Sequence, residues 1–258
     1  MRINCLQNLI DILRLKKFKE HDKKIDFLIR KMEYSIAMHS IAELHRKVFL
    51  KYKGINRGKD VVLIAAGPSL NDFKPLENVI YVGVNRVFRY DKVKFDYMFI
   101  EDFVIELPNL IDEFVNYEVE NCKKFVAYSP YSDKAVIIPE KYSYCKNVER
   151  YYTYSIPEKN EITFDIASLP LGGFGSVAFS AMEFILYTYP KKIYLAGCDC
   201  SCSGYWNELN TDNQLNVKRA FEGWNKIKEF AQCYYPDIEI ISINPVRLKG
   251  IFKDVYTK

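Results

Sequence analysis

Two patterns of apolar and polar positions divide the chain. Up to residue 51 the apolar side chains recur at helical spacing: Leu6, Leu9, Ile10 and Leu13, then Ile25, Leu28, Ile29 and Met32, then Ile36, Ile41, Leu44 and Val48. No glycine or proline interrupts this stretch before Gly54, so it predicts two or three helices ending at Lys53-Gly54. From Asp60 the text changes to short apolar runs alternating with helical segments. Val61–Ala65, Val79–Val84, Phe95–Ile100, Lys124–Tyr128, Lys192–Ala196 and Ile238–Ile243 read as strands, the last of these closing the set. Leu107–Val119, Ser176–Tyr187 and Val217–Cys233 carry helical spacing. Residues 130–165 show no clear period and are expected to form long loops or a small insertion.

The run Val61-Val62-Leu63-Ile64-Ala65-Ala66 is apolar throughout instead of alternating, which predicts an inner parallel strand covered on both faces. Strand–helix alternation then implies an α/β fold, a doubly wound and mostly parallel sheet with a helical N-terminal extension. The expected division is residues 1–53 for the extension and 54–258 for the sheet domain.

Such sheets bind ligands beyond the carboxyl ends of their strands. Polar clusters recur there: Gly67-Pro68-Ser69, Asn85-Arg86, Glu101-Asp102, Asp199 and Asn244. In the first, Gly67 would let a ligand approach the backbone, Pro68 fixes φ, and Ser69 can cap the next turn or meet an anion. The turn has neither the phosphate-loop lysine nor the full dinucleotide glycine fingerprint. Asn, Asp and Gly also serve ordinary turns, so each residue has a purely local alternative. A second glycine turn, Gly172-Gly173-Phe174-Gly175-Ser176, opens the apolar helix. Free amides and the helix dipole would suit an anion there; close packing of helix on sheet is the alternative.

Composition narrows the class. With 258 residues, 49% of them hydrophobic, the chain can bury a full core. No apolar run is long enough to span a bilayer, the start lacks a signal-peptide pattern, and the odd, irregularly spaced seven cysteines predict reduced thiols, hence a cytoplasmic protein. The net charge of +4 is unevenly shared: residues 1–59 hold 15 Lys/Arg against 6 Asp/Glu. This basic segment suits peripheral contact with the inner face of a membrane, or it is simply a solvated helix face. No basic–aromatic module for nucleic acid occurs. Cys198-Asp199-Cys200-Ser201-Cys202 lacks a histidine or a second cysteine pair, so no metal site is assigned. Tyr205 and Trp206 come next in a loop and could stack on a base or sugar.

In order, Gly58–Leu70, Tyr81–Arg86, Phe95–Asp102, Gly172–Ala178 and Ile193–Asp199 resemble the 6-hydroxymethylpterin pyrophosphokinase (MptE)-like family of Rossmann-type proteins. That family includes proteins of bacterial surface-glycan clusters. The resemblance covers roughly residues 54–253 and implies a Rossmann-like nucleotide-binding catalytic domain. The pattern is also distantly similar to Cst-type bacterial sialyltransferases, which use a CMP-activated nonulosonic acid. That similarity places Gly67 and Ser69 at the donor phosphate, Asn85 on the nucleotide, Gly175-Ser176 beside it, and Tyr205 at the leaving phosphate. Pro68, Arg86, Gly173 and Asn244 complete the expected nucleotide pocket.

Two departures shape the chemistry. Ala66 stands where those enzymes place Asn, and no histidine occurs after His45. A transferase built on this chain therefore needs a carboxylate base: Glu101, Asp102 or Asp199, with Asp102 preferred. The resulting expectation is a glycosyltransferase of surface-polysaccharide synthesis, working from a nucleotide-sugar donor to a glycan or lipid-linked acceptor and needing no cofactor. The alternatives are an Mg²⁺-dependent pyrophosphokinase, with Asp102 and Asp199 on the metal, and an inactive nucleotide-fold binding subunit. The oligomeric state is left open.

Overall fold

A computed structural model describes residues 2–101, 110–117, 121–128, 147–153, 161–201, 203–207 and 214–257. Eight strands form one sheet: β1 (Asp60–Ile64), β2 (Val79–Val84), β3 (Tyr97–Ile100), β4 (Lys123–Tyr128), β5 (Val148–Tyr152), β6 (Lys192–Ala196), β7 (Glu239–Ile243) and β8 (Lys253–Val255). Every pairing is parallel, in the order β5-β4-β3-β2-β1-β6-β7-β8. The helices are α1 (Arg2–Phe49), α2 (Leu110–Asn116), α3 (Ala178–Tyr187) and α4 (Gln214–Tyr234). The expected doubly wound α/β sheet is thus present, and it is wholly parallel.

The uninterrupted apolar character of β1 has the anticipated cause. Val61 and Leu63 enter the core on one face of the sheet, with Val82, Phe99, Phe125, Ile193 and Leu195. Val62 and Ile64 enter the core on the other face, with Met98, Ile100 and Ala196. Helix α3 lies in the first of these cores with all ten of its residues buried, which explains why it is apolar apart from Ser180 and Glu183. Gly223 of α4 lets that helix close on α3, since a Cβ there would stand 2.7 Å from the Phe179 ring.

Three elements differ from the sequence expectation. The N-terminal segment is one continuous 48-residue helix, not two or three; nothing between its ends breaks the hydrogen-bond ladder. Strand β5 occupies part of the segment expected to be loop, and β8 lies beyond the strand expected to close the set. Both are edge strands with charged residues, Glu149 and Arg150 in one, Lys253 and Asp254 in the other. Half-solvated edges of that kind carry no continuous apolar run, and their charges discourage pairing with other chains.

The C-terminal turns of α1 are built into the sheet domain. Ile41, Val48 and Phe49 are buried, and Phe49 stacks on Phe125 with ring centroids 5.6 Å apart. Tyr52, just beyond, packs edge-on against Phe184 and Tyr97. His45, fully buried, acts as a staple: Nδ1–H donates to the Ile166 carbonyl (2.9 Å), and Nε2 accepts the Tyr152 N–H of β5 (2.8 Å). This is a packing role. No helix among the described residues is long and apolar enough to cross a membrane.

Burial lowers the His45 pKa from 6.5 to about 4. Between those values the unfolded chain binds the proton and the folded chain does not, so stability contributed by neutral His45 is complete above pH 6.5 and is lost as pH falls toward 4. The shift corresponds to on the order of 3 kcal/mol. Denaturant melts from pH 7.5 to 4.5 should show this decline, and His45→Leu should flatten it. At pH 7 the same variant should be less stable by about 1–3 kcal/mol, because two buried backbone groups lose their partner.

Candidate functional site

The strand order reverses between β1 and β6: from β1 the chain steps outward to β5, then returns through α3 to begin again at β6. Loops leaving the carboxyl ends of these two neighbours therefore diverge, and the crevice they leave is where open α/β sheets bind ligands. The two loops begin with residues 65–69 and 197–201. A pocket of about 380 Å³ opens there, lined by residues that include Ser69, Asp72, Asp199, Ser201, Asn244 and Tyr256.

Asp199 organises this crevice. It is 4% exposed, and its Oδ2 accepts the Ser69 N–H at 2.8 Å while Oδ1 accepts the Ser69 hydroxyl. The carboxylate thus caps the 3-10 turn Pro68–Asp72, whose N-cap residue Gly67 has no side chain to do so. Burial raises the Asp199 pKa from its ordinary value, and the two bonds from Ser69 oppose that rise. Gly67 seals the arrangement. Its N–H donates to the Gly197 carbonyl at 2.8 Å, and an added Cβ would lie 2.5 Å from that oxygen and 2.6 Å from the Asp199 carboxyl carbon. The sequence suggests that Gly67 leaves room for a ligand; the room is taken instead by the loop after β6.

The remaining strand-end residues fall into local groups. Asn85 takes a left-handed φ of 49°, and its Oδ1 accepts the Glu101 N–H at 3.1 Å, tying the end of β2 to that of β3. Arg86 lies over the Tyr205 ring at 4.9 Å. Tyr205 precedes Trp206, whose N–H donates to the Ala66 carbonyl at 2.8 Å, so this pair bridges the loops after β2, β1 and β6. Asn244, with φ of 48°, bonds through both side-chain atoms to Thr257 and holds the residues after β8 against the pocket. Asp102, the preferred base on sequence grounds, lies outside the described residues.

Glu101 points the other way. Its Oε1 accepts the Ser180 hydroxyl (2.8 Å) and the Tyr151 hydroxyl (3.2 Å), on the α3 side of the sheet and away from the lining of the pocket. Next to it lies a carboxylate that the sequence analysis did not single out. Glu183, 1% exposed, accepts the N–H of Thr163 through Oε1 and of Gly172 through Oε2, both at 2.8 Å. Burial raises its pKa well above the ordinary range against the pull of those amides. The clue was present: a glutamate in the middle of the run Ala178–Tyr187, which is apolar but for it and Ser180.

Glu183 thereby fixes the start of the second glycine turn. Gly173 is buried, Gly175 is exposed with φ of 76°, and the Ser176 N–H donates to the Gly173 carbonyl at 2.7 Å. Phe174 sits at φ of 40°, a strained conformation for an aromatic residue. It is held by Phe179 at 5.3 Å and by Lys226 above its ring at 5.1 Å. Ser176 Oγ accepts the Ala178 N–H at 3.3 Å just ahead of α3, whose N-cap residue is Val177 and not Ser176. The thiols of the Cys198-Asp199-Cys200 segment are held neutral by burial, that of Cys200 pushed up to about 12.

The Gly67 contact makes a direct prediction. Gly67→Ala must push the two loops apart and should cost about 1–3 kcal/mol in denaturant melts, the range for overpacked interiors. An unchanged stability would mean that the loops separate freely.

No family model matches this chain, and neither does any curated protein. Its neighbours among solved structures include glycosyltransferases, Cst sialyltransferases among them, at low identity. The Maf glycosyltransferase of Magnetospirillum magneticum AMB-1 is 11% identical with a TM-score of 0.48, over 85% of this chain and 38% of that one. This chain thus spans about two fifths of that protein's length. The sialyltransferase CST-II, in complex with a trisaccharide acceptor and CMP, is 18% identical with a TM-score of 0.44, over 71% and 80% of the two chains. The Campylobacter jejuni sialyltransferase CstII, in complex with the substrate analogue CMP-3FNeuAc, is 17% identical with a TM-score of 0.46, over 76% and 86%.

Proposed function

We propose that this chain is a glycosyltransferase that takes a sugar from a nucleotide-activated donor, a CMP-linked acid of the nonulosonic type, and passes it to a hydroxyl of a glycan or lipid-linked acceptor. The observation that carries this reading is Asp199, a buried carboxylate with a raised pKa in the wall of the crevice where the strand order reverses. The ordered motifs Gly58–Leu70 to Ile193–Asp199 support the same class.

In this reading the acceptor enters the pocket, whose lining of Ser69, Ser201, Ser203 and Asp72 offers hydroxyl and carboxylate partners for a polyol. Asp199 takes the proton of the attacking hydroxyl. The acceptor oxygen bonds to the anomeric carbon as that carbon's bond to the nucleotide phosphate breaks, and the electron pair leaves on the phosphate. A carboxylate of raised pKa is the better base for a hydroxyl, and the Ser69 hydroxyl stays on Asp199 to keep it oriented. Arg86, held over the Tyr205 ring, supplies positive charge for the departing phosphate. No metal is required for this step.

A thermal-shift comparison of CMP, UDP, GDP and ATP, each with and without Mg²⁺, tests the donor class. CMP alone should raise the melting temperature; at a hundredfold its Kd a ligand stabilises by roughly 2.7 kcal/mol. A shift seen only with ATP and Mg²⁺ would point to pyrophosphate transfer instead, and no shift at all would leave a fold without a nucleotide. In a transfer assay Asp199→Asn should lower kcat by about 10²–10⁴-fold. The wild-type rate should fall on the acid side through a pKa raised from the ordinary aspartate value, because only ionised Asp199 accepts the proton. Full turnover by Asp199→Asn would sink the assignment of the base.

A further inference from the structure

Among its described side chains, helix α1 carries two apolar stripes that face in opposite directions. Near its end, Ile41, His45, Val48 and Phe49 are buried in the sheet domain. Further back, Ile25, Leu28, Ile29, Met32 and Ile36 recur at three- and four-residue spacing, yet they are 53%, 56%, 48%, 65% and 64% exposed. At 3.6 residues per turn this second stripe lies roughly half a turn around the helix from the first. A straight helix that seats one stripe on its own domain therefore turns the other away from it. No segment of the described chain covers that stripe.

The charges bordering the stripe differ on its two sides. Lys24 and Lys31 share a row with Leu28, at i−4 and i+3, along one edge. Asp22 and Asp26 share a row with Ile29, at i−7 and i−3, along the other. All four are exposed. When two such helices lie parallel about a two-fold axis, the acidic edge of each meets the basic edge of its partner. Antiparallel, acid would face acid and base would face base. Flanking charges of this kind set partner and orientation in coiled coils.

We propose that this face of α1 pairs with a second copy of the chain, forming a parallel two-fold dimer with the sheet domains on the outside. Because the stripe is turned away from the domain, two helices can meet without the domains colliding. An anionic lipid surface suits the face less well, since Asp22 and Asp26 would be pressed against like charge.

Sedimentation velocity on the full-length chain across the micromolar range is the test. A concentration-dependent dimer is expected. Ile29→Glu combined with Met32→Glu should raise its dissociation constant at least tenfold while leaving the melting temperature of the sheet domain unchanged. Lys24→Glu with Lys31→Glu should also weaken it, and adding Asp22→Lys with Asp26→Lys should restore it. Orientation is read from Ile25→Cys and Ile36→Cys, made singly: under oxidation each should cross-link to its own copy above the wild-type background. An antiparallel pair can centre on one of these positions at most. A chain that stays monomeric, a dimer that survives Ile29→Glu/Met32→Glu, or cross-linking at only one position would overturn the proposal. So would a monomer that binds phosphatidylserine vesicles through this stripe.

Discussion

Burial of β1 on both faces is the constraint on which the rest of the architecture depends. A strand whose four residues Val61–Ile64 are alternately committed to two separate cores must lie inside the sheet, with a layer on each side. The chain can then leave β1 in one direction only, and its return through α3 has to begin again on the other flank. The divergence of the loops after β1 and β6 is a consequence of that path. The crevice is therefore a by-product of how the core is covered, and its position owes nothing to the residues that line it.

Asp199 answers two demands with one side chain. The 3-10 turn after Gly67 needs an acceptor for its leading amide, and a buried carboxylate needs donors; Ser69 and Asp199 satisfy each other. A carboxylate held in this way is oriented and partly desolvated, the two properties that make an aspartate useful as a base. The structural and chemical roles are thus compatible. The same economy is seen across the sheet at Glu183, where two amide donors at 2.8 Å anchor the glycine turn from within an apolar helix.

Helix α1 shows how a sequence can be amphipathic in parts without being so as a whole. The stripe of Ile25–Ile36 and that of Ile41–Phe49 oppose each other. Each is distinct within its own few turns, and of these two the one near Phe49 finds partners inside the described chain.

Periodicity alone determined the class of fold, the inner strands β1, β2 and β6, and the polar strand ends, because double-sided burial writes continuous apolar runs that need no tertiary information. It also brought Gly67, Ser69 and Asp199 forward as candidates, since each sits where a strand must stop. The edge strands β5 and β8 were invisible, because a half-solvated strand leaves only isolated apolar positions such as Tyr151. The pairing of Ser69 with Asp199, 130 residues apart, and the arrival of Tyr256 in the pocket wall were decided only by the order of the strands. The direction of Glu101 depended likewise on which helix crossed beneath it. Local spacing records what each residue avoids or seeks in water; which distant residue it meets is decided only by the way the chain closes the sheet.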